Sequence, residues 1–199
     1  MIALILDKLL IKYASPTLGG IKTGSLFKVY KSSCIDLKKE IDYYNLSLNY
    51  LDLYLDILYS CDKYDLIYIY NFKMLTQNLN NKEVKEFLKI FNYKCDFIDE
   101  YISCLKKRFN ILKKTPHEIG IFLGYPLNDV KSFIIYKGKN FKISGCWKVY
   151  DNVDYCIKQF NKFKKYRNMF YYLYENNYNI ESLVIISKNI SSYIKQYYC

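Results

Sequence analysis

The stretch YLDLYLDILYSCDKYDLIYIY, Tyr50–Tyr70, decides the fold class. From Tyr50 to Tyr59 apolar and polar residues alternate, with Leu51, Leu53, Leu55 and Ile57 on one side and Asp52, Tyr54 and Asp56 on the other. A period of two is that of a half-buried strand. Ser60–Lys63 reads as a turn, and Asp65–Tyr70 returns as the antiparallel partner. Because that returning segment is β-prone on both faces, it is expected at the centre of a sheet.

Working outward, Ile2–Tyr13 predicts an opening helix ended by Ser15-Pro16-Thr17, and Leu26–Tyr30 a strand. Cys34–Leu48 predicts a helix capped by Ser32 or Ser33, with Leu37, Ile41, Tyr44 and Leu48 on its inner face. Two more helices are expected, over Asn81–Phe91 and from a cap at Asp96 to Asn110, the second with Ile98, Tyr101 and Leu105 inward. Phe141–Tyr150 alternates as a strand, with Phe141, Ile143, Gly145, Trp147 and Val149 on one side. Asn152 or Asp151 then caps a long helix to Tyr174, striped by Val153, Ile157, Phe160, Phe163, Phe170 and Tyr174. The tail from Ile180 fits either a helix or an edge strand. The expected fold is α+β: a mostly antiparallel sheet covered by helices, a single domain over residues 1–183 with a C-terminal tail at 184–199.

In a chain rich in Lys, Asn, Ile and Tyr, the scarce conformational specialists carry the information. All 7 glycines and 3 prolines fall in three windows, Pro16–Gly24, Pro116–Pro126 and Gly138–Gly145. Glycine serves positive φ or close approach, and proline fixes φ without a donor. The central window sits in TPHEIGIFLGYPLNDVKSF, Thr115–Phe133, which also holds the only histidine. Thr115, Pro116 and Glu118 read as N-cap, N1 and N3 of a capping box. Gly124 stands where a C′ residue would end a two-turn helix. Pro126 opens a second helix with Asp129 near its positive end and an apolar stripe at Val130, Phe133 and Ile134.

The formal charge of +11 rests on 30 basic residues, of which only Arg108 and Arg167 are arginine. Arginine supplies the bidentate fork that reads phosphate and guanine. The charge is therefore assigned to composition, with nucleic acid kept as a lesser alternative. No apolar run reaches the ~18 residues of a membrane span, and no basic residue precedes the first apolar run as in a signal peptide. A cytoplasmic protein without membrane attachment is expected. The 7 cysteines include no CxxC, so reduced thiols and no sequence-local metal site are expected. No motif specifies a cofactor.

Three functional readings follow. In the first, the glycine and proline windows converge, and Gly20, Lys22, Thr23, His117, Tyr125 and Trp147 bind an anionic small molecule or cofactor. Gly19–Ser25 lacks the lysine of a phosphate loop and its flanks run helix to strand, so it offers at most an anion nest of backbone N–H groups. In the second, Glu118–Phe133 forms a helix-turn-helix for DNA. In the third, His117, Glu118 and Cys146 serve a Cys/His enzyme. His117-Glu118 is not part of HExxH, because Ile121 stands where the second histidine would be.

Three segments, ASPTLGGIKTGSLF (Ala14–Phe27), PHEIGIFLGYPLNDVKSFI (Pro116–Ile134) and GCWKVYDN (Gly145–Asn152), together resemble an uncharacterised family of small cytosolic proteins from anaerobic, mostly low-GC bacteria. The resemblance extends over roughly Ile2 to Leu183 and implies no established activity. Members tend to carry cysteine where this chain has Ala14 and again near Tyr166, so a thiol or metal role at those positions is not expected here.

Overall fold

The computed structural model describes residues 5–33 and 36–198 and has the α+β architecture. The predicted starts at Ile2 and Cys34, and Cys199, lie outside the described residues. The chain forms two compact units, residues 1–72 with 163–199, and residues 73–162.

In the first unit, strands β1 (Gly24–Tyr30), β2 (Leu53–Ser60) and β3 (Tyr64–Asn71) pair antiparallel in the order β1-β3-β2. The segment apolar on both faces is therefore central, as its composition requires. The alternation of β2 runs only to Ile57: Leu58 is the extra residue of a bulge and is buried. A bulge lets Leu58 leave water at the cost of one unpaired ladder position. Tyr50 and Leu51 lie ahead of the strand in a 3-10 turn, Asn49–Leu51. On edge strand β2, the Asn45 side chain donates to the Leu55 carbonyl and accepts from its N–H, at 2.9 and 2.8 Å. That pairing occupies two ladder groups an edge otherwise leaves open.

Helices α1 (Ile5–Leu18) and α2 (Leu37–Leu48) cover the sheet, and the predicted face Leu37, Ile41, Tyr44 and Leu48 is buried. The cap of α2 is Asp36, which accepts the Lys39 N–H at 3.2 Å, not Ser32 or Ser33. Ser33 instead bonds back to the Tyr30 carbonyl. Helix α1 does not stop at Ser15-Pro16-Thr17 but continues through Pro16 to Leu18. A proline deep in a helix costs ~3 kcal/mol, whereas each leucine fully buried stabilises by ~2 kcal/mol. Leu6, Leu10 and Leu18 are all buried, and Pro16 forfeits only the bond to the carbonyl of exposed Lys12. Packing therefore outweighs the local signal. The tail is helical, α9 (Ile180–Tyr198), and Leu183 and Val184 join the core with Phe170.

The second unit begins within α3 (Phe72–Leu79) and continues with α4 (Lys82–Lys89) and α5 (Ile98–Leu112). Asn81 caps α4 by accepting from Glu83 and Val84. The predicted inner residues Ile98, Tyr101 and Leu105 of α5 are buried. A single helical turn, α6 (Ile119–Phe122), precedes α7 (Leu127–Ile135). Phe141–Tyr150 is not one strand: β4 (Ile143–Ser144) and β5 (Lys148–Val149) form a hairpin turning at Gly145–Trp147. A Cβ at Gly145 would lie 2.2 Å from the Phe160 ring. Only glycine allows the turn to sit on that aromatic. Helix α8 (Val153–Glu175) starts at the predicted Asn152 cap, whose side chain accepts the Tyr155 N–H at 3.1 Å. Of its predicted stripe Phe163 and Phe170 are buried, Val153, Phe160 and Tyr174 are half-buried and Ile157 is exposed, with Cys156 joining the buried side.

Candidate functional site

The centre of the second unit is Asp129, on the first turn of α7. It is only 2% exposed, so its carboxylate must be satisfied internally. One oxygen accepts the backbone N–H groups of Tyr150 and Asp151 at 2.8 and 3.2 Å. The other accepts the indole N–H of Trp147 at 2.8 Å and the Cys156 thiol at 3.7 Å. One side chain thus binds α7 to the hairpin and to the start of α8. Burial, followed by the Asp129 charge, pushes the Cys156 thiol up to about 11, so it stays a donor at neutral pH.

Between α6, α7 and the hairpin lies a cavity of about 280 Å³. Its walls include His117, Tyr125, Phe133 and Trp147, with Ser144 and Lys148 on the hairpin side. Tyr125 stacks on Trp147 with ring centroids 4.8 Å apart, and its hydroxyl donates to the Cys146 carbonyl at 3.3 Å. Burial, then the nearby Cys146, raises the Tyr125 phenol to about 12. Phe160 contacts Trp147 edge to face at 4.6 Å. Exposed His117 meets Phe133 edge-on at 5.2 Å, and no described residue hydrogen-bonds its ring nitrogens. The Lys148 ammonium donates to the Gly138 carbonyl at 2.6 Å and lies 4.8 Å from the Phe141 ring centroid. Among the described residues, no carboxylate pairs with it.

The turn that shapes this cavity is built by two glycines. Gly124, at φ 76, receives α6 in a C-terminal cap: its N–H bonds Ile121 and that of Tyr125 bonds Gly120. Gly120 admits Val130, whose methyl would lie 2.7 Å from an added Cβ. Gly124 therefore acts as predicted. The two-turn helix and the Thr115 capping box do not form, because Glu118 turns elsewhere. It is 1% exposed and ion-paired with Arg108 Nε, and Tyr93 donates to the same oxygen at 3.3 Å. Its charge is neutralised away from the cavity walls. Burial and the Glu118 charge drive the Tyr93 phenol upward, while Arg108 opposes them.

The predicted site residues fall in both units. His117, Tyr125 and Trp147 share one cavity. Cys146 lies exposed at the hairpin turn and is not part of the cavity wall. Gly20, Lys22 and Thr23 belong to the first unit. There Gly20, at φ 68, closes α1: its N–H donates to Thr17 and that of Ile21 to Pro16, each at 3.0 Å. Of the N–H groups expected to form a nest, those of Gly19, Gly20 and Ile21 already serve a helix end. Lys22 folds back onto the Gly24 carbonyl, and Thr23 is buried with its carbonyl accepting from Asn71. The sequence reading missed Lys148, one lysine among many, and the role of Asp129. The signal for Asp129 was present in Trp147, whose N–H requires an acceptor when buried.

The fold and cavity define an α+β protein with an aromatic-walled hollow in its second unit. The chain belongs to the family described as protein of unknown function (DUF3793), which matches residues 10–184. No curated protein and no solved structure matches the chain. Among the described residues, no cluster of three or more metal-ligating side chains occurs, and no helix is long and apolar enough to cross a membrane.

Proposed function

We propose that the second unit binds a compact anionic small molecule in the cavity bounded by His117, Tyr125, Phe133 and Trp147. One observation carries this reading: an aromatic-walled cavity of about 280 Å³ has in its lining Lys148, whose ammonium has no carboxylate partner among the described residues, while the Asp129 carboxylate in the same lining is already bonded by Trp147, Cys156 and the N–H groups of Tyr150 and Asp151. Apolar walls with a few placed polar groups are the usual make-up of a ligand site. The volume lies just below the ~300 Å³ at which drug-sized sites begin, which favours a metabolite of one or two rings or a short acid. His117 adds a donor at the rim. Binding is preferred to catalysis because no described group orients the imidazole, and because Glu118 is taken up by Arg108. We infer a cytoplasmic setting, where unbonded cysteines such as the described ones stay reduced unless an oxidant reaches them.

Trp147, the only tryptophan, makes the reading measurable. Native mass spectrometry of the protein as purified identifies a co-purifying molecule, and titration of that molecule should change Trp147 emission. Lys148→Met should weaken an anion's affinity by tenfold or more, on the order of 1.4 kcal/mol. An emission insensitive to every retained molecule, or equal affinity in the Lys148→Met protein, refutes the anionic cavity reading.

A further inference from the structure

We propose that Cys95 and Cys104 form a reversible disulfide, making this pair a redox modification site of the second unit. Their sulfurs stand 3.5 Å apart, in contact and about 1.5 Å beyond bonded separation. Cys95 lies in the segment between α4 and α5, and Cys104 on the second turn of α5. Closing the gap takes a relative movement of about 1.5 Å between two sulfurs already in contact.

The two thiols differ in environment, and that difference sets the order of events. Cys95 is buried, whereas Cys104 is half-buried and reaches solvent. Burial, followed by the hydrogen bond with Cys104, raises the Cys95 thiol to about 12. Glu100 and Asp96 add negative charge beside it, Glu100 being held there because it accepts the N–H groups of Asp96 and Phe97 at 2.9 and 3.3 Å. Cys104 is therefore the attacking sulfur and Cys95 the resolving one.

The oxidant required is a low-molecular-weight disulfide. The Cys104 thiolate attacks one of its sulfurs, forming a mixed disulfide and releasing one small thiolate. The released thiolate takes the Cys95 proton, and Cys95 attacks the Cys104 sulfur, expelling the second small thiolate. Two protein thiols are oxidised by two electrons, and one small disulfide is reduced to two thiols. The new bond closes a short loop over the start of α5, which limits the unfolded chain and should stabilise that end of the helix.

The test uses the whole wild-type protein and oxidised glutathione. After native incubation, the chain is alkylated in denaturant and cleaved with trypsin. Residues 95–106 emerge as one peptide holding both cysteines and no internal basic residue. The expected product is that peptide unalkylated and about 2 Da lighter than its dithiol form, converted by reductant to a form that takes two alkyl groups. In Cys95→Ser the reaction should halt with glutathione on Cys104. A wild-type peptide that carries two alkyl groups, a lasting glutathione adduct, or a Cys104 bonded to another cysteine overturns the proposal.

Discussion

The indole N–H of Trp147 donates to the Asp129 carboxylate at 2.8 Å, and that bond ties the hairpin turn to the first turn of α7. Asp129→Ala would strand this donor together with the N–H groups of Tyr150 and Asp151. Bonds to a charged acceptor contribute ~1.5–3 kcal/mol each, and water can reach half-buried Trp147 and Tyr150. The expected loss is therefore ~3 kcal/mol, read by urea unfolding followed through Trp147 emission. Asn128→Ala removes only an exposed bond to Asp151 and should change stability by less than ~0.5 kcal/mol. Equal effects of the two substitutions would show that Asp129 is not the keystone.

The Arg108–Glu118 pair should behave asymmetrically. Glu118 is 1% exposed at its side chain and Arg108 25%. Arg108→Ala leaves a buried carboxylate with only the Tyr93 hydroxyl, a loss of ~3–4 kcal/mol. Glu118→Gln leaves a guanidinium that still lies over the Phe91 and Tyr93 rings and reaches water, so ~1–2 kcal/mol is expected. Replacing both, Arg108→Met with Glu118→Leu, should recover most of the Arg108→Ala loss, because neither charge then needs a partner. A double-mutant cycle by urea denaturation, built with Arg108→Met and Glu118→Leu as its single variants, measures this coupling, and strictly additive losses would contradict it.

What periodicity reports is which face of an element is apolar, and that much was legible. Leu37, Ile41, Tyr44 and Leu48 are buried as their spacing requires, and the hairpin partner apolar on both faces is the central strand. Two kinds of feature were not. The first is a local signal overruled by packing: Pro16 reads as a stop, yet the leucines on either side of it carry the helix past. The second is a partner brought in by tertiary structure. Glu118 three residues after Thr115 has the spacing of a capping box, and only the fold shows Arg108 waiting beside it. The cavity was half legible for the same reason. His117, Tyr125 and Trp147 stood out as rare or aromatic residues near glycines, whereas Lys148 carries no mark against a lysine-rich background.

The glycines separate into those that need space and those that need positive φ, and substitution should tell them apart. Gly145→Ala drives a methyl into Phe160, whose ring is also fixed against Trp147. Overpacking of this kind costs ~1–3 kcal/mol. The same change in a Phe160→Ala background should cost almost nothing further. Gly20→Ala meets no atom within 4 Å, so its penalty is only the left-handed backbone at φ 68, ~1 kcal/mol. Gly20→Asn should recover part of that loss, since asparagine tolerates this region. Circular dichroism on thermal unfolding ranks the five variants, Phe160→Ala alone included, against the wild type, and a Gly145→Ala cost that persists without the Phe160 ring would rule out the steric account.

Alkaline pH should destabilise the protein from the side of its buried acids. Burial raises the Cys156 thiol from 9.0 to about 11 and the Tyr125 phenol from 10.0 to about 12. Between those values the unfolded chain has lost its protons while the folded chain retains them, so stability falls as pH rises. Their contribution is whole below about pH 9 and declines progressively toward pH 12. Cys156→Ser keeps a donor to Asp129 but does not ionise in this window, and Tyr125→Phe removes its phenol altogether. Combining them should flatten part of the decline in urea midpoint between about pH 8 and 11. Some of the slope should persist, because burial also raises Cys95 to about 12 and moves the Tyr93 phenol upward. A wild-type midpoint that stays level across that range, or a doubly substituted protein with the full wild-type slope, would mean these groups ionise in the fold as readily as in the open chain.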